Sequence, residues 1–185
     1  EAGACFPCDR LYAVENGPSG FDPAAPAHLP KIKFAVLAAI PALARARTAY
    51  DAAGGVLTVA ADGRSPFAGS LAEPAGRNAF AAWLAEFVDT EDQRGPLRVI
   101  TAVGPHRFMD DRSGAVSLLN LASVRDLERR LGRPVDPLRF RANLHVEGWE
   151  PWSEMTLAAG AEVGAGEAVL RVVKPIVRCA ATHVD

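Results

Sequence analysis

The chain changes from strand to helix within one stretch, Val116-Ser-Leu-Leu-Asn-Leu-Ala-Ser-Val-Arg-Asp-Leu-Glu-Arg-Arg-Leu131. A short apolar run at residues 115–119 is typical of a strand, and Asn120 after it is a preferred residue at a helix start. Apolar residues then recur at positions 121, 124, 127 and 131, which gives the predicted helix one buried face. Asp126 and Arg130 form an i,i+4 pair, and Gly132 supplies a stop signal. The fold must therefore combine strands with at least one amphipathic helix.

The start of this predicted helix is a candidate site for anion binding. A helix N-terminus carries unpaired backbone N–H groups and partial positive charge, so it can bind an anion. Asn120 and Ser123 would add side-chain hydrogen bonds there. Ordinary capping of the helix explains the same residues equally well, and no glycine-rich phosphate loop precedes them.

The next stretch, Arg139-Phe-Arg-Ala-Asn-Leu-His-Val146, alternates between polar and apolar residues and predicts a strand. Its apolar residues would face the core, while Arg141 and Asn143 would lie on the opposite face. A planar guanidinium and an amide two residues apart suit a phosphate or a pterin-like heterocycle. A solvated sheet face is the alternative.

Cys179 follows an apolar run that begins at Val172 and lies beside Arg178. Arg171 and Lys174 are also within eight residues of the sulfur. Cations lower a thiol pKa and favour the thiolate, which is both the nucleophile and the metal-binding form. The sequence thus predicts a reactive or metal-ligating thiol at Cys179, with the hydroxyl of Thr182 close by in the chain.

Before residue 115 the pattern is mostly that of strands and turns. Phe80, Trp83, Leu84, Phe87 and Val88 share one face of a predicted helix over residues 78–88. Strands are predicted at residues 11–14, 32–37, 43–49, 56–60 and 97–103, with a hairpin turn at Gly54-Gly55 and a loop at residues 21–30. After residue 150, strands are predicted at 155–157, 161–163 and 168–173. Many short strands with two helices predict a β-barrel or a strongly bent mixed sheet with packed helices.

Composition and charge restrict the function classes. The chain has 185 residues, 49% of them hydrophobic, and a net charge of −2, so it can bury a core and lacks the basic field of a nucleic-acid binder. No window approaches the 18 to 20 uncharged apolar residues of a membrane span. The sequence begins without Met and stops after Val184-Asp185, and we interpret it as a fragment cut at both ends.

Three cysteines are few for this length and predict a reducing, cytoplasmic location. Cys5 and Cys8 form a C-x-x-C pair, which is compatible with half of a zinc site, a redox pair, or two thiols in a turn. One alternative function is therefore a non-enzymatic metal-binding module or a structural zinc domain that uses Cys5, Cys8 and Cys179.

Four segments together resemble the MOSC domain, the family named for the C-terminal domain of molybdenum cofactor sulfurase, which includes the amidoxime-reducing components. They are residues 116–131, residues 140–146, the segment Arg178-Cys-Ala-Ala-Thr-His-Val-Asp185, and the early Phe6-Pro-Cys-Asp-Arg-Leu-Tyr-Ala-Val14. The last is similar to the Gly-Asp-Arg segment of the β-rich region that precedes MOSC in many members, with Cys8 where relatives usually have Gly. The resemblance implies a partial β-rich N-terminal region over residues 1–70 and a MOSC domain, truncated at its C-terminus, over residues 71–185. The expected fold is a mixed α/β, β-rich one in which helices pack on a MOSC-type barrel.

The resemblance also implies a molybdenum cofactor (molybdopterin) whose metal is bound by Cys179. The residues implied to hold the pterin and its phosphate are Arg10, Asn120, Ser123, Arg141, Asn143, Arg178 and Thr182. Two activities are consistent with it: reduction of an N-oxygenated small-molecule substrate, with an electron-transfer protein or domain as partner, or sulfur transfer through a persulfide on Cys179. Pyridoxal phosphate is associated with the sulfurases through a separate domain, and we interpret Lys174 as a cation near Cys179 and not as a Schiff-base lysine.

Overall fold

The structure is a computed structural model that describes residues 8–112, 114–177 and 182. Its chain divides into two compact units, an N-terminal unit that extends to Gly114 and a C-terminal unit from Ala115 to Val184. None of the helices in the described part of the chain is both long enough and apolar enough to cross a membrane.

The N-terminal unit contains two antiparallel sheets and one long helix. Its elements are β1 (Tyr12–Asn16), β2 (Arg47–Asp51), β3 (Val56–Ala60), β4 (Phe67–Ser70), α1 (Pro74–Phe87) and β5 (Leu97–Thr101), with 3-10 turns at Lys31–Lys33, Pro41–Arg45 and Thr90–Asp92. β1 pairs with β5, while β2, β3 and β4 form a three-stranded sheet in that order. The predicted hairpin is confirmed, since Asp51 pairs with Val56 across the turn.

The core of this unit lies under the aromatic face of α1. Leu84 and Phe87 are 3% and 7% exposed, and they pack with Ile40, Val88 and other buried residues. Trp83 stacks on Phe87 with ring centroids 5.1 Å apart, and its indole N–H donates to the Ser65 carbonyl at 2.9 Å. The helical periodicity at residues 78–88 therefore reports core packing, as predicted.

Close packing of α1 on β4 depends on a glycine. A Cβ atom at Gly76 would lie 1.9 Å from the carbonyl oxygen of Ser70. No side chain can be accommodated at that distance, so the first turn of α1 can reach the end of β4 only with glycine at position 76.

Two strand predictions in this unit were wrong in detail. Residues 32–37 form a 3-10 turn followed by a single bridge between Phe34 and Glu15. Pro41 opens a second 3-10 turn, so the strand predicted at 43–49 begins only at Arg47. Proline fixes φ near the helical value and cannot donate to a sheet, which favours a turn over an extended chain. β4 was not predicted.

The C-terminal unit contains a parallel strand pair joined through a helix. Its elements are β6 (Leu118–Asn120), α2 (Leu121–Leu131), β7 (Leu144–Val146), β8 (Glu162–Ala165) and β9 (Ala168–Arg171), with 3-10 turns at Pro137–Phe140 and Ser153–Thr156. β6 pairs in parallel with β7, and β8 forms an antiparallel hairpin with β9. Parallel neighbours need a crossover, and α2 supplies it.

The core of this unit is small. Leu119, Val124 and Val135 are buried, and Phe140 and Ala142 pack against them as predicted. The predicted helix is confirmed from its Asn120 cap to Gly132, which adopts φ 67° at the C-terminus. The strand predicted at 155–157 was wrong, since those residues lie at a 3-10 turn and its end.

The described part of the chain thus has a mixed α/β structure with several sheets and two α-helices. Within the described ranges the sheets have two or three strands each and form no closed barrel.

Candidate cofactor site

Asn120 lies fully buried where β6 meets α2. Its Oδ1 accepts from the Ala122 N–H at 3.0 Å, which caps the helix. Its Nδ2 donates to the Glu150 carbonyl at 2.9 Å and to Glu154 Oε2 at 2.8 Å. The amide therefore links the helix start, through Oδ1, to residues 150–154, through Nδ2.

Ser123 lies one turn into α2 and is 4% exposed. Its Oγ accepts from the Trp152 backbone N–H at 2.8 Å. Asn120 and Ser123 are thus brought together, and both contact the same segment, residues 150–154. Neither Glu150 nor Glu154 was singled out from sequence, because nothing local marks them as partners of a residue 30 positions earlier.

Asp126 extends this contact on the outer face of α2. It accepts from the Trp152 indole N–H at 2.6 Å, and from Arg130 Nε and Arg129 Nη2 at 2.7 Å each. The Trp152 hydrogen bond, helped by the two arginines, lowers the pKa of the Asp126 carboxyl below its ordinary value, although partial desolvation opposes the shift. The predicted pair with Arg130 is confirmed and is part of a larger network.

Asn143 is attached to the start of β6. Its Oδ1 accepts from the backbone N–H and the hydroxyl of Ser117, at 3.0 and 2.9 Å. Its own backbone N–H donates to Ser117 Oγ at 3.0 Å. The Nδ2 group makes no hydrogen bond within the described part of the chain, so one pair of amide donors stays available.

Arg141 does not lie on a strand, so the predicted shared strand face with Asn143 was wrong. It terminates the 3-10 turn Pro137–Phe140 with φ 49°, and β7 begins only at Leu144. Asp136 caps this turn by accepting from the Leu138 N–H at 2.8 Å. Asp-Pro is a turn signal, so the sequence did contain the information that overrides the alternating pattern. The Arg141 side chain is exposed and forms no ion pair with any described residue.

Thr182 is held at the same turn. Arg139 Nη1 donates to its carbonyl oxygen at 3.0 Å, across 43 positions of sequence. Thr182 is half-buried. This contact brings one end of the predicted cysteine motif to the segment that carries Arg141 and Asn143.

Arg10 belongs to the N-terminal unit. Its guanidinium pairs with Asp9, and its carbonyl accepts from the Phe108 N–H at 3.1 Å. Cys8 and Arg10 adopt φ 62° and φ 52°, in the region that favours glycine. The strand predicted at residues 11–14 begins at Tyr12 and extends to Asn16.

Cys179, Arg178 and Cys5 lie outside the described residues. Cys8 is half-buried and free. Across residues 8–112, 114–177 and 182, no group of three His, Cys, Asp or Glu side chains is arranged to hold a metal ion. The zinc alternative, which depends on Cys5 and Cys179, is not tested by this.

Comparison with known proteins bears on the C-terminal segment. No curated protein matches the chain significantly. The family model of the MOSC domain matches residues 104–185, a range that includes β6, α2, β7 and the Cys179 segment. This match supports a MOSC domain at residues 104–185.

Proposed function

We propose that this protein binds a molybdenum cofactor and that the Cys179 thiolate ligates its metal. The family match supports a cofactor of this class, which is associated with MOSC domains. The residues proposed to hold the pterin and its phosphate are Arg10, Asn120, Ser123, Arg141, Asn143, Arg178 and Thr182. Bound cofactor would supply the redox or sulfur chemistry, and the chain would bind and orient it.

The observation that carries the proposal is the segment around Arg141. The exposed Arg141 guanidinium and the Asn143 Nδ2 donors have no partner among the described residues, yet the backbone on either side is fixed. Ser117 holds Asn143, and Arg139 holds Thr182. Donors left available on a fixed backbone suit an anionic, hydrogen-bonding ligand such as a pterin phosphate.

The candidates differ in how free their side chains are to contact a ligand. Asn120 already uses both ends of its amide, so its contribution would come through the helix N-terminus that it caps. Ser123 accepts one hydrogen bond and keeps its hydroxyl proton to donate. Arg141 and Asn143 are the stronger candidates for direct contacts.

Cys179 is proposed as the metal ligand because a thiolate is a soft donor and Arg178 and Lys174 place cations near it in the sequence. We propose two forms of the activity. In one, the protein reduces N-oxygenated small molecules with electrons from a partner protein or domain. In the other, Cys179 carries sulfur as a persulfide. We also propose that the MOSC segment has the barrel architecture expected for the family and that the protein acts in the cytoplasm.

Metal content tests the proposal. The full-length protein is produced in cells that make the cofactor, and molybdenum and zinc are measured per chain. We expect molybdenum in the native protein, its loss in Cys179→Ser, and its retention in Cys5→Ser and Cys8→Ser, because only the first removes the proposed ligand.

The three cysteine variants are matched controls for one another, since each replaces one sulfur by oxygen. Equal molybdenum in Cys179→Ser and native protein would contradict ligation by Cys179. Stoichiometric zinc that disappears in all three variants would instead establish the structural zinc domain.

A further inference from the structure

A cavity lined mainly by basic residues lies within the N-terminal unit. It has a volume of about 380 Å³ and is lined by Ala27, His28, His106, Arg107, Met109 and Arg112. Small-molecule sites typically range from about 300 to 1,000 Å³, so the cavity is large enough for a small ligand. Four of its six lining side chains are basic, and none is acidic.

An aromatic cluster fixes the two loops that form the cavity. His106 lies 5.3 Å from Phe21 and 5.2 Å from Phe108, measured between ring centroids, and Phe108 also contacts Phe21 and Phe34. The Val103 N–H donates to the Pro23 carbonyl at 3.3 Å. The loop at residues 21–30 and the loop at residues 104–112 are thus held against each other, so the lining groups are positioned before any ligand arrives.

Two nitrogen atoms at this cavity are buried without a partner. They are His28 Nε2 and Arg107 Nε, which have no hydrogen-bond acceptor among the residues that the structure describes. Arg107 is oriented by its Nη1, which donates to the His106 carbonyl at 2.9 Å. Buried polar atoms are nearly always hydrogen-bonded in folded proteins, so two unpartnered nitrogens at one cavity indicate a missing acceptor.

The charges around the cavity define the kind of acceptor. Burial, with His28 and Arg107 nearby, lowers the pKa of His106 below its usual value. The same loop carries two carboxylates, Asp110 and Asp111, and Asp110 pairs with Lys31 at 3.3 Å. A negatively charged ligand would relieve the repulsion among His28, His106 and Arg107.

We propose that this cavity binds an oxyanion of the phosphate type, held by the guanidinium groups of Arg107 and Arg112 and by the imidazoles of His28 and His106. Guanidinium groups present parallel N–H donors that match phosphate oxygens. The cavity has room beyond the anion itself, so the ligand class is a small phosphomonoester. This inference does not rest on the molybdenum cofactor or on Cys179.

Imidazole NMR signals of the full chain provide the test. The sequence has four histidines, and His145 in the C-terminal unit is exposed and serves as an internal control. Titration with inorganic phosphate, and separately with glycerol 3-phosphate, should shift the His28 and His106 signals saturably and leave His145 unchanged. Tighter binding of glycerol 3-phosphate would support a phosphomonoester ligand.

Arginine variants measure how much each guanidinium group contributes to phosphate affinity. Arg107→Gln and Arg112→Gln should each weaken phosphate binding about tenfold, as expected for loss of a charged hydrogen bond. Arg133→Gln, the same change at an exposed position of the C-terminal unit, should leave the affinity unaltered. Arg112 is itself exposed, so its variant should keep the native fold even if Arg107→Gln does not.

Sulfate is the suitable anion for measuring the pH dependence, because its own charge does not change between pH 7.5 and pH 5.5. Its affinity should rise as the pH falls over this range, since anion binding favours the protonated form of His106. Absence of any saturable shift at His28 or His106 in the folded native chain would overturn the proposal. Equal loss of affinity in Arg133→Gln would overturn it as well.

A further measurement distinguishes two sources of the anion, the phosphate of the molybdenum cofactor and a separate phosphomonoester. If protein loaded with the molybdenum cofactor no longer binds phosphate here, the oxyanion is the phosphate of that cofactor. If loaded protein binds phosphate as before, the ligand is a separate phosphomonoester. Either result supports an oxyanion site, and a failure of the molybdenum measurement would not affect it.

Discussion

Asn120 uses every polar atom of its side chain within the C-terminal unit. The sequence predicted its role as a helix cap because capping depends on residues one to three positions away. Its bonds to Glu150 and Glu154 were not predictable, since they join residues 30 and 34 positions apart. Cys8 adopts a left-handed backbone conformation, at a position where the resembling sequences usually have glycine.

Replacing Asn120 with Ala should destabilise the protein by about 2 to 3 kcal/mol. The helix loses its cap, and the Glu150 carbonyl and the Glu154 carboxylate lose a buried donor. Urea unfolding followed by circular dichroism measures the change. Asn78→Ala, the same substitution at an exposed position of α1, should have little effect or stabilise slightly. Equal effects of the two substitutions would refute the buried network.

At the level of secondary-structure elements, prolines explain why strands predicted from periodicity did not form as predicted. Pro41, Pro74 and Pro137 each open a helix or a 3-10 turn. The apolar alternation at residues 139–146 competes with the Asp136-Pro137 turn signal, and the turn wins because the Asp136 cap and the fixed φ of proline both favour it. Consequently Arg141 and Asn143 are displayed by a turn and its exit, and not by one face of a strand.

The contact between α2 and Trp152 makes an acid-sensitive prediction. Trp152→Phe keeps an aromatic ring beneath Arg130 but removes the N–H that lowers the pKa of Asp126. A lowered carboxyl pKa contributes stability that is present above the ordinary pKa near 3.8 and is lost as the pH falls through the folded-state value. The variant should therefore unfold at lower urea than native protein at pH 6, and the difference should shrink below pH 4.

The matched control is Trp149→Phe, the same substitution at a tryptophan that precedes Trp152 by three positions. Its indole N–H donates to no described residue, so its effect should not vary between pH 6 and pH 3. A Trp152→Phe difference that stays constant over this range would show that the indole hydrogen bond does not hold the Asp126 charge.

On the scale of the whole molecule, each unit has a core of its own. Leu84, Phe87 and Ile40 belong to the N-terminal unit, whereas Leu119 and Val124 belong to the C-terminal unit. The MOSC match begins at residue 104, ten residues before the compact N-terminal unit ends at Gly114. The boundary predicted between residues 70 and 71 remains a prediction, and β4 and the start of α1 lie in one compact unit across it.

The core of the N-terminal unit is open to a direct test. Leu84→Ala should destabilise the protein by about 2 to 5 kcal/mol, because it removes a side chain that is 3% exposed and leaves a cavity. Leu138→Ala, at a side chain that is 63% exposed, should change the free energy of unfolding by less than about 0.5 kcal/mol. Thermal or urea unfolding of both variants gives the comparison, and similar values would contradict this assignment of the core.

The sequence by itself determined the features that depend on near neighbours: the hairpin at Gly54-Gly55, the aromatic face of α1, and the strand-to-helix junction at Asn120. It also contained the MOSC resemblance that the family match confirms. Only the tertiary structure decided that Asn143 is fixed by Ser117, that Arg139 holds Thr182, and that His28 and His106 line one cavity. The physical reason is that periodicity and capping are set within a few residues, whereas these contacts join residues 26 to 78 positions apart and exist only once the chain has packed.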